Sequence, residues 1–455
     1  MKKLSVLLAL LLSVVLFATA SAAPLNQLAY STGIQVQNLS GSNTANITLT
    51  FVNGAGADAA TVSTAIAASD SVTYFPLPSV SAGFSGSAVV SSDQPVAAIV
   101  NLVADGTGLG SSYVGRSAGD TSLFIPIIIK NLGGQSTWFS IQNAGTVSTG
   151  YTVSFANQPT CDISGTIPAR TSVTIRQDVD TCLPTGYIGA ATITSTGSAQ
   201  PLVAVNVQER ATVVGSFPKF LLASTAFSSA SASNLPVAPV FIYIGTFQTG
   251  ISLQNTGGSS TDVTITYTPS AGFPGASCTE TKTIAAGTAT IFGYPSLPAS
   301  CIPGGSFVGT AAVTTNSASQ PLVGLVNQAN TANGNASTYS MFNPAAATDT
   351  VSLPLILDRV GGTFYTGVSV MNVGDASTDV TCTFSNTSYT ASATLAPGAA
   401  LTFVQQNQIA AGYIGSGICT TNNGEEIVAM VNELQSAFNS LTQDGLLTYE
   451  GININ

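Results

Sequence analysis

The strongest constraint on this chain is a pattern that returns four times. Its first landmark is Gly33-Ile34-Gln35-Val36-Gln37-Asn38, matched by Trp138 to Asn143, Gly250 to Asn255 and Gly367 to Asn372. An alternating stretch follows each time, at Ile47, Leu49 and Phe51, then Tyr151, Val153 and Phe155, then Val263, Ile265 and Tyr267, then Val380, Cys382 and Phe384. The third landmark is a Gly-aromatic-x-Gly turn, at Gly83 to Gly86, Gly186 to Gly189 and Gly412 to Gly415, with one serine inserted between Gly305 and Gly309. Each turn leads into an apolar segment that closes on an asparagine, at Asn101, Asn206, Asn327 and Asn432. The unit is therefore 105 to 121 residues long.

Period-2 runs of Ile, Val, Thr, Phe and Tyr, separated by Gly, Ser, Asn and Pro, read as half-buried strands. A unit of this length with seven or so short strands buries its apolar faces by packing two sheets together. Solenoid β-helices have a far shorter repeat. The expected fold is all-β: four tandem immunoglobulin-like β-sandwich repeats in an elongated array, covering 23–115, 116–220, 235–344 and 345–455. The Ser/Ala-rich stretch 221–234 is expected to be a flexible linker, placing a hinge between the second and third repeats. Each later repeat opens with an apolar, proline-bearing strand, around Pro126, Pro239 and Pro354. Proline cannot donate to a ladder, so these strands are expected at sheet edges or at a switch between sheets.

At the N-terminus, Lys2 and Lys3 precede an apolar run from Leu7 to Phe17, followed by Ala20-Ser21-Ala22. This is the pattern of a secretory signal peptide, residues 1–22, cleaved after Ala22. The run is shorter than the roughly 20 residues a membrane helix requires, so no transmembrane segment is expected in the mature chain. Removing Lys2 and Lys3 leaves 8 basic against 20 acidic groups, a net charge of 8 − 20 = −12. That balance argues against a nucleic-acid partner.

Cys161 and Cys182 flank one segment of the second repeat, and Cys278 and Cys301 flank the same segment of the third. Recurrence of place and spacing predicts both pairs. Cys382 stands where Leu49, Val153 and Ile265 stand, and Cys419 where Val90, Ile193 and Val313 stand. Both are expected in the core, where a bridge joins two core strands, either within a sheet or between the two sheets as in an immunoglobulin domain. Three disulfides and no free thiol fit an oxidising, extracellular setting.

The absence of histidine removes the Ser-His-Asp and Cys-His nucleophile systems and imidazole-ligated zinc. Paired carboxylates remain. Asp178 and Asp180 share one face if extended, and Glu425 and Glu426 are adjacent; both pairs read chiefly as turn chemistry, with calcium binding at Asp178 and Asp180 as the alternative for the first. No catalytic residue, cofactor or metal site is expected, and the chain is read as a non-enzyme. Asn38-Leu39-Ser40 and Asn46-Ile47-Thr48 match the glycosylation acceptor pattern. Trp138 replaces a landmark glycine and reads either as an exposed stacking ring or as a packed residue at a repeat junction.

Four immunoglobulin-sized repeats behind a signal peptide, with Cys382 and Cys419 in a core, resemble the tandem β-sandwich stalks and fibre subunits of bacterial cell surfaces. The resemblance implies display, spacing, adhesion or filament assembly at the cell surface or outside the cell. Two functions follow as expectations: a structural subunit of a surface layer or filament, or a secreted module binding glycans or another surface protein. The expected partners are accordingly further copies of the chain, another surface protein, or a glycan. The first repeat also lacks a good opening strand, having only Ala23 to Tyr30 there. An extended segment from another chain can complete such an edge. The C-terminal residues 446–455, with Ile452 and Ile454, are the candidate donor unless they close the fourth repeat themselves.

Overall fold

A computed structural model describes residues 10–16 and 28–454, apart from 216, 274, 438 and 439. The expected cleavage point after Ala22 lies outside the described residues. The first block of strands comprises β1 (Leu10–Leu16), β2 (Tyr30–Asn38), β3 (Ala45–Asn53), β4 (Asp58–Ile66), β5 (Ser71–Tyr74), β6 (Gly86–Ser92), β7 (Val96–Ala104) and β8 (Leu109–Val114). The second comprises β9 (Ser122–Lys130), β10 (Ser136–Asn143), β11 (Thr149–Phe155), β12 (Ile163–Ile167), β13 (Ser172–Arg176), β14 (Tyr187–Thr196), β15 (Leu202–Arg210), β16 (Phe220–Thr225) and β17 (Phe227–Ser228). The third comprises β18 (Val237–Ile244), β19 (Phe247–Asn255), β20 (Thr261–Pro269), β21 (Cys278–Ile284), β22 (Ala289–Gly293), β23 (Ser306–Thr315), β24 (Leu322–Asn330) and β25 (Ala336–Ser340). The last comprises β26 (Thr350–Asp358), β27 (Phe364–Asn372), β28 (Thr378–Phe384), β29 (Thr390–Leu395), β30 (Ala400–Val404), β31 (Tyr413–Thr421), β32 (Ile427–Gln435), β33 (Leu446–Glu450) and β34 (Ile452–Asn453).

Every block is a pair of antiparallel sheets with one strand order. In the first, β1-β6-β3-β4 faces β5-β2-β7-β8; in the second, β12-β11-β14-β9-β17 faces β13-β10-β15-β16; the fourth repeats this with β29-β28-β31-β26-β34 and β30-β27-β32-β33. In the third block the two sheets are joined through β18 and β19. The chain is all-β, as expected, built from packed antiparallel sheets.

The landmarks acquire physical roles. Asn38, Asn143, Asn255 and Asn372 are each fully buried. Their Nδ2 groups donate to two or three backbone carbonyls, as Asn255 does to Ser259 (2.7 Å) and Ile284 (3.1 Å), while their Oδ1 atoms accept the N–H two residues on. One side chain thus satisfies a loop whose backbone would otherwise be orphaned. This use of Asn38 also takes its amide out of reach of glycosylation in the folded chain. In the Gly-aromatic-x-Gly turn the first glycine has a left-handed φ (Gly186, 83°), and a Cβ on the second would collide with the aromatic ring, Tyr187 over Gly189 or Phe307 over Gly309.

The proline-bearing strands are not simple edges. Strands β9 and β26 have neighbours on both sides, and each register shifts around the proline, between Ile125 and Ile128 and between Leu353 and Ile356; β18 shifts likewise between Ala238 and Phe241. Proline's missing donor is thus absorbed by a β-bulge. The latter half of each strand is latched by a threonine of the opposite sheet, Thr137 to Ile129, Thr249 to Ile242 and Thr366 to Leu357.

The expected elongated array is corrected by the contacts between blocks. Strand β8 packs on β16 and on β33, and both of these pack on β25, so the four closing strands meet around one axis and the fourth block returns to the first. The molecule is a closed ring. Its exposed surface of 17271 Å² is close to the roughly 16,000 Å² expected for one compact body of this mass. The linker expectation fails for the same reason: Phe220 to Thr225 is the buried strand β16, and Ser228 to Asn234 is pinned by Ser229 N–H to Asp120 (2.8 Å) and Asn234 to Ala318 (2.8 Å). The Ser/Ala composition concealed a strand that is buried because neighbouring blocks cover it.

A scattering measurement on the monomer is expected to give a radius of gyration of about 22 Å, the value for a compact chain of this length. A rod of four sandwiches would give about 45 Å, so a value near that would refute the ring.

Candidate functional site

The surfaces that distinguish this molecule are the four junctions of the ring and the axis where they converge. Strands β7, β15, β24 and β32 are apolar on both faces. One face lies in its own core, and the other (Ala97 and Ile99, Val203 and Val205, Val323 and Leu325, Val428 and Met430) is buried against the preceding block. Val323 and Leu325, for example, pack on Ile127 and Ile129. At three junctions the proline-bearing strand of one block, β9, β18 or β26, therefore supports the sheet of the next, and at the junction of the first and second blocks β1 takes that place.

The registers correct one landmark. Gly33, Gly250 and Gly367 pair with Asn101, Asn327 and Asn432, but Trp138 pairs with Val207, not with Asn206. Asn206 turns inward instead and donates to Ile127 O (3.3 Å), the residue after Pro126. In the third and fourth blocks the same carbonyl position is held by tyrosines, Tyr339 to Val240 and Tyr449 to Leu355. The junction of the first and second blocks thereby gains Val207 and Trp138 where the others carry Asn and Gly.

Trp138 is 3% exposed, with its ring 5.6 Å from that of Tyr30 in the first block. Its Nε1 donates to Glu209 Oε2 (2.9 Å), the carboxylate that also accepts from Tyr30 Oη and pairs with Arg176 (3.2 Å). Burial and the facing Glu209 carboxylate raise the Tyr30 pKa well above the usual phenol range. Across the second and third blocks, Gln208 and Asn327 exchange amide hydrogen bonds of 3.2 and 2.9 Å. Across the fourth and first, the counterpart is Glu433, accepting from Asn101 Nδ2 (3.0 Å) and Ser112 Oγ (2.8 Å). Burial pushes the Glu433 carboxyl up to about 7, against the opposing pull of those two bonds. Asp444 in the loop over the axis is also raised well above the usual carboxylate range by burial, and its backbone N–H donates to Gly108 O (2.8 Å).

The six cysteines form Cys161–Cys182, Cys278–Cys301 and Cys382–Cys419. Cys382 and Cys419 are direct ladder partners on β28 and β31, in register with Leu49 and Val90, Val153 and Ile193, and Ile265 and Val313. The bond therefore lies within one sheet and does not span the sandwich as the immunoglobulin pattern does. Asp178 pairs with Arg176 (3.0 Å), while Asp180 accepts the N–H groups of Cys182 and Leu183. Asp178 thus shares the Arg176 guanidinium with Glu209, and it is Asp180 that organises the turn before Leu183. Glu425 accepts from Ala376 N–H (2.9 Å). Ile452 pairs with Ser352 of β26 and Ile454 N–H donates to Thr350 O, so the C-terminal segment is engaged within its own block. Among the described residues no group of three His, Cys, Asp or Glu side chains could hold a metal, and no helix is long and apolar enough to cross a membrane.

Two cavities border the axis. One of about 350 Å³ is walled by the chain segments leaving the four closing strands, including Arg116, Phe227, Phe342 and Ile452, with Glu450 beside Arg116. The other, about 370 Å³ and almost wholly apolar, opens between the fourth and first blocks beside Phe75 and Ile414, which are 63% and 50% exposed. Sequence reasoning passed over Glu433, Tyr339 and Tyr449, since nothing local marks a residue whose partner lies in another block or strand.

No family model matches the chain, and no curated protein matches it. Among solved structures, one similar chain is described as "Crystal structure of tetra-tandem repeat in extending region of large adhesion protein", at 14% identity over 94% of this chain and 96% of that one. The TM-score of that match is 0.12, too low to carry an argument.

Proposed function

We propose that the protein is an exported, non-enzymatic structural module of a cell-surface layer or extracellular filament. The observation that carries this reading is the closed ring: junction faces that separate modules would leave open are buried between neighbouring blocks, and three of the blocks each carry an internal disulfide. Three disulfides suit an oxidising compartment. With only 7% of residues charged, the exterior is mainly neutral and polar, suited to dense packing against like molecules.

The second reading, a secreted binding module, is favoured by the apolar cavity beside Phe75 and Ile414, since exposed apolar clefts mark contact sites. Cell fractionation and negative-stain imaging of the native protein separate the two. The structural reading expects the protein in surface-attached or extracellular assemblies of regularly spaced ring-sized particles. Recovery only as dispersed monomers in the medium would overturn it. Loss of cell-surface association in Phe75→Asp with assemblies intact would favour the binding module.

A further inference from the structure

In three blocks the strand that supports the next block is supplied from within: β9, β18 and β26, each running antiparallel to β14, β23 or β31. In the first block that place beside β6 is taken by β1, paired residue by residue from Leu10 with Ser92 to Leu16 with Gly86, without bulge or proline. Strand β1 is the apolar core of the segment whose composition reads as a signal peptide. Its backbone also lies against β10 and β15 of the second block, as β9 lies against β19 and β24 of the third.

Apart from this strand, the position is fully built. Thr32, buried, stands where Thr137, Thr249 and Thr366 latch their strands, and Tyr113 stands where Tyr339 and Tyr449 do. The second block adds Trp138, Val203, Val205 and Val207, all at most 3% exposed and all packed into the first block's core. This wall is more apolar than its counterparts, with Val207 replacing the asparagine found at 101, 327 and 432. If export removes residues 1–22, only residues 23–29 precede β2. In the second block five residues separate the end of β9 at Lys130 from the start of β10 at Ser136, so a turn of that kind leaves too little chain to rebuild a seven-residue strand.

We propose that, in the processed protein, the groove along Gly86–Ser92 is an acceptor for an extended apolar segment of a partner protein, added as the missing strand of the first block. Backbone pairing to β6 gives the affinity, and the Val203, Val205 and Val207 wall selects apolar residues. The occupant proposed is a segment of a different protein; the C-terminal segment that a second copy would offer, Ile452–Asn453, is already paired with β26. The inference rests on the export reading in the preceding section and names the surface through which such a module joins an assembly.

The test uses protein recovered from an exporting host, its N-terminus fixed by intact mass, and a synthetic peptide of residues 8–18 with lysines added at both ends as the probe. The peptide is expected to bind one to one, to slow hydrogen exchange at least 100-fold at the β6 amides that point away from β3, and to raise the melting temperature. Val207→Asn, which installs the residue that the other three blocks carry at that register, is expected to weaken binding at least tenfold, with folding of the variant checked by its peptide-free melting curve. A scrambled peptide should not bind. Retention of residues 10–16 in the exported protein would overturn the proposal, as would protection, in the monomer without peptide, of those β6 amides that point away from β3. Protection that develops by self-association would replace the partner by a second copy. None of these results alters the cell-surface location tested by fractionation, so the two readings fail separately.

Discussion

Replacing Cys382 and Cys419 together by alanine is expected to raise the rate at which a protease cuts the fourth block by several hundred-fold or more. The bond closes a loop with a sequence separation of 37 residues, and restriction of the unfolded chain by a loop of that size amounts to about 3–4 kcal/mol. When opening and closing are fast relative to cleavage, proteolysis follows the open population, and each 1.4 kcal/mol is about tenfold. Alanine also leaves space where both side chains are fully buried between β28 and β31, adding about 1–3 kcal/mol. A second variant separates the two contributions. Cys382→Val with Cys419→Ile copies the Val153 and Ile193 pair that fills the same register in the second block. It should restore the packing and lose only the cross-link, unfolding between the wild type and the double alanine. Mass mapping of the first cleavage products and calorimetry check both. If reduced wild-type protein is cut no faster than oxidised protein, the bond contributes nothing to the block.

The core positions of these cysteines were legible in the sequence because alternation fixes which residues face inward, and Cys382 aligned with Leu49, Val153 and Ile265 without any structural knowledge. What alternation leaves open is whether two inward residues meet within a sheet or across the sandwich. The ring was hidden for a related reason. Runs such as Val96 to Val100 and Val323 to Val326 are continuously apolar, the signature of a strand covered on both faces. As sequence alone, each reads as the closing strand of its own unit. Their second face announces a neighbouring block, yet its identity depends on geometry summed over four junctions. The mistaken alignment of Asn206 shows the limit of matching residue types. Its segment after Pro201 reaches asparagine one residue earlier than the segments after Pro95 and Pro321, and that shift sends the side chain to the opposite face.

Stability of the ring should fall as pH rises from 5 to 8, and Glu433 should account for a separable part of the change. Its carboxyl is raised to about 7 in the folded protein from an ordinary value near 4.5. Between those two values the unfolded chain has already released the proton while the folded chain retains it, so raising the pH favours unfolding. The stability associated with the neutral carboxyl is full below about 4.5, declines through the interval and is level above about 7. Between pH 5 and pH 8 the loss amounts to about 2–3 kcal/mol. Asp444, also raised by burial, acts in the same direction, and Tyr449 faces Glu433, which helps to hold the phenol neutral. The molecule contains its own control at the opposite junction. Gln208 occupies the place of Glu433 and Asn327 that of Asn101, and these two amides bond reciprocally without any charge. Glu433→Gln should therefore reproduce that arrangement toward Asn101 and Ser112, raise the melting temperature at pH 8, and leave it little changed at pH 5. Calorimetry of both proteins at the two pH values tests the assignment. A variant that differs from the wild type equally at pH 5 and pH 8 would show that Glu433 does not titrate between them and would refute the assignment.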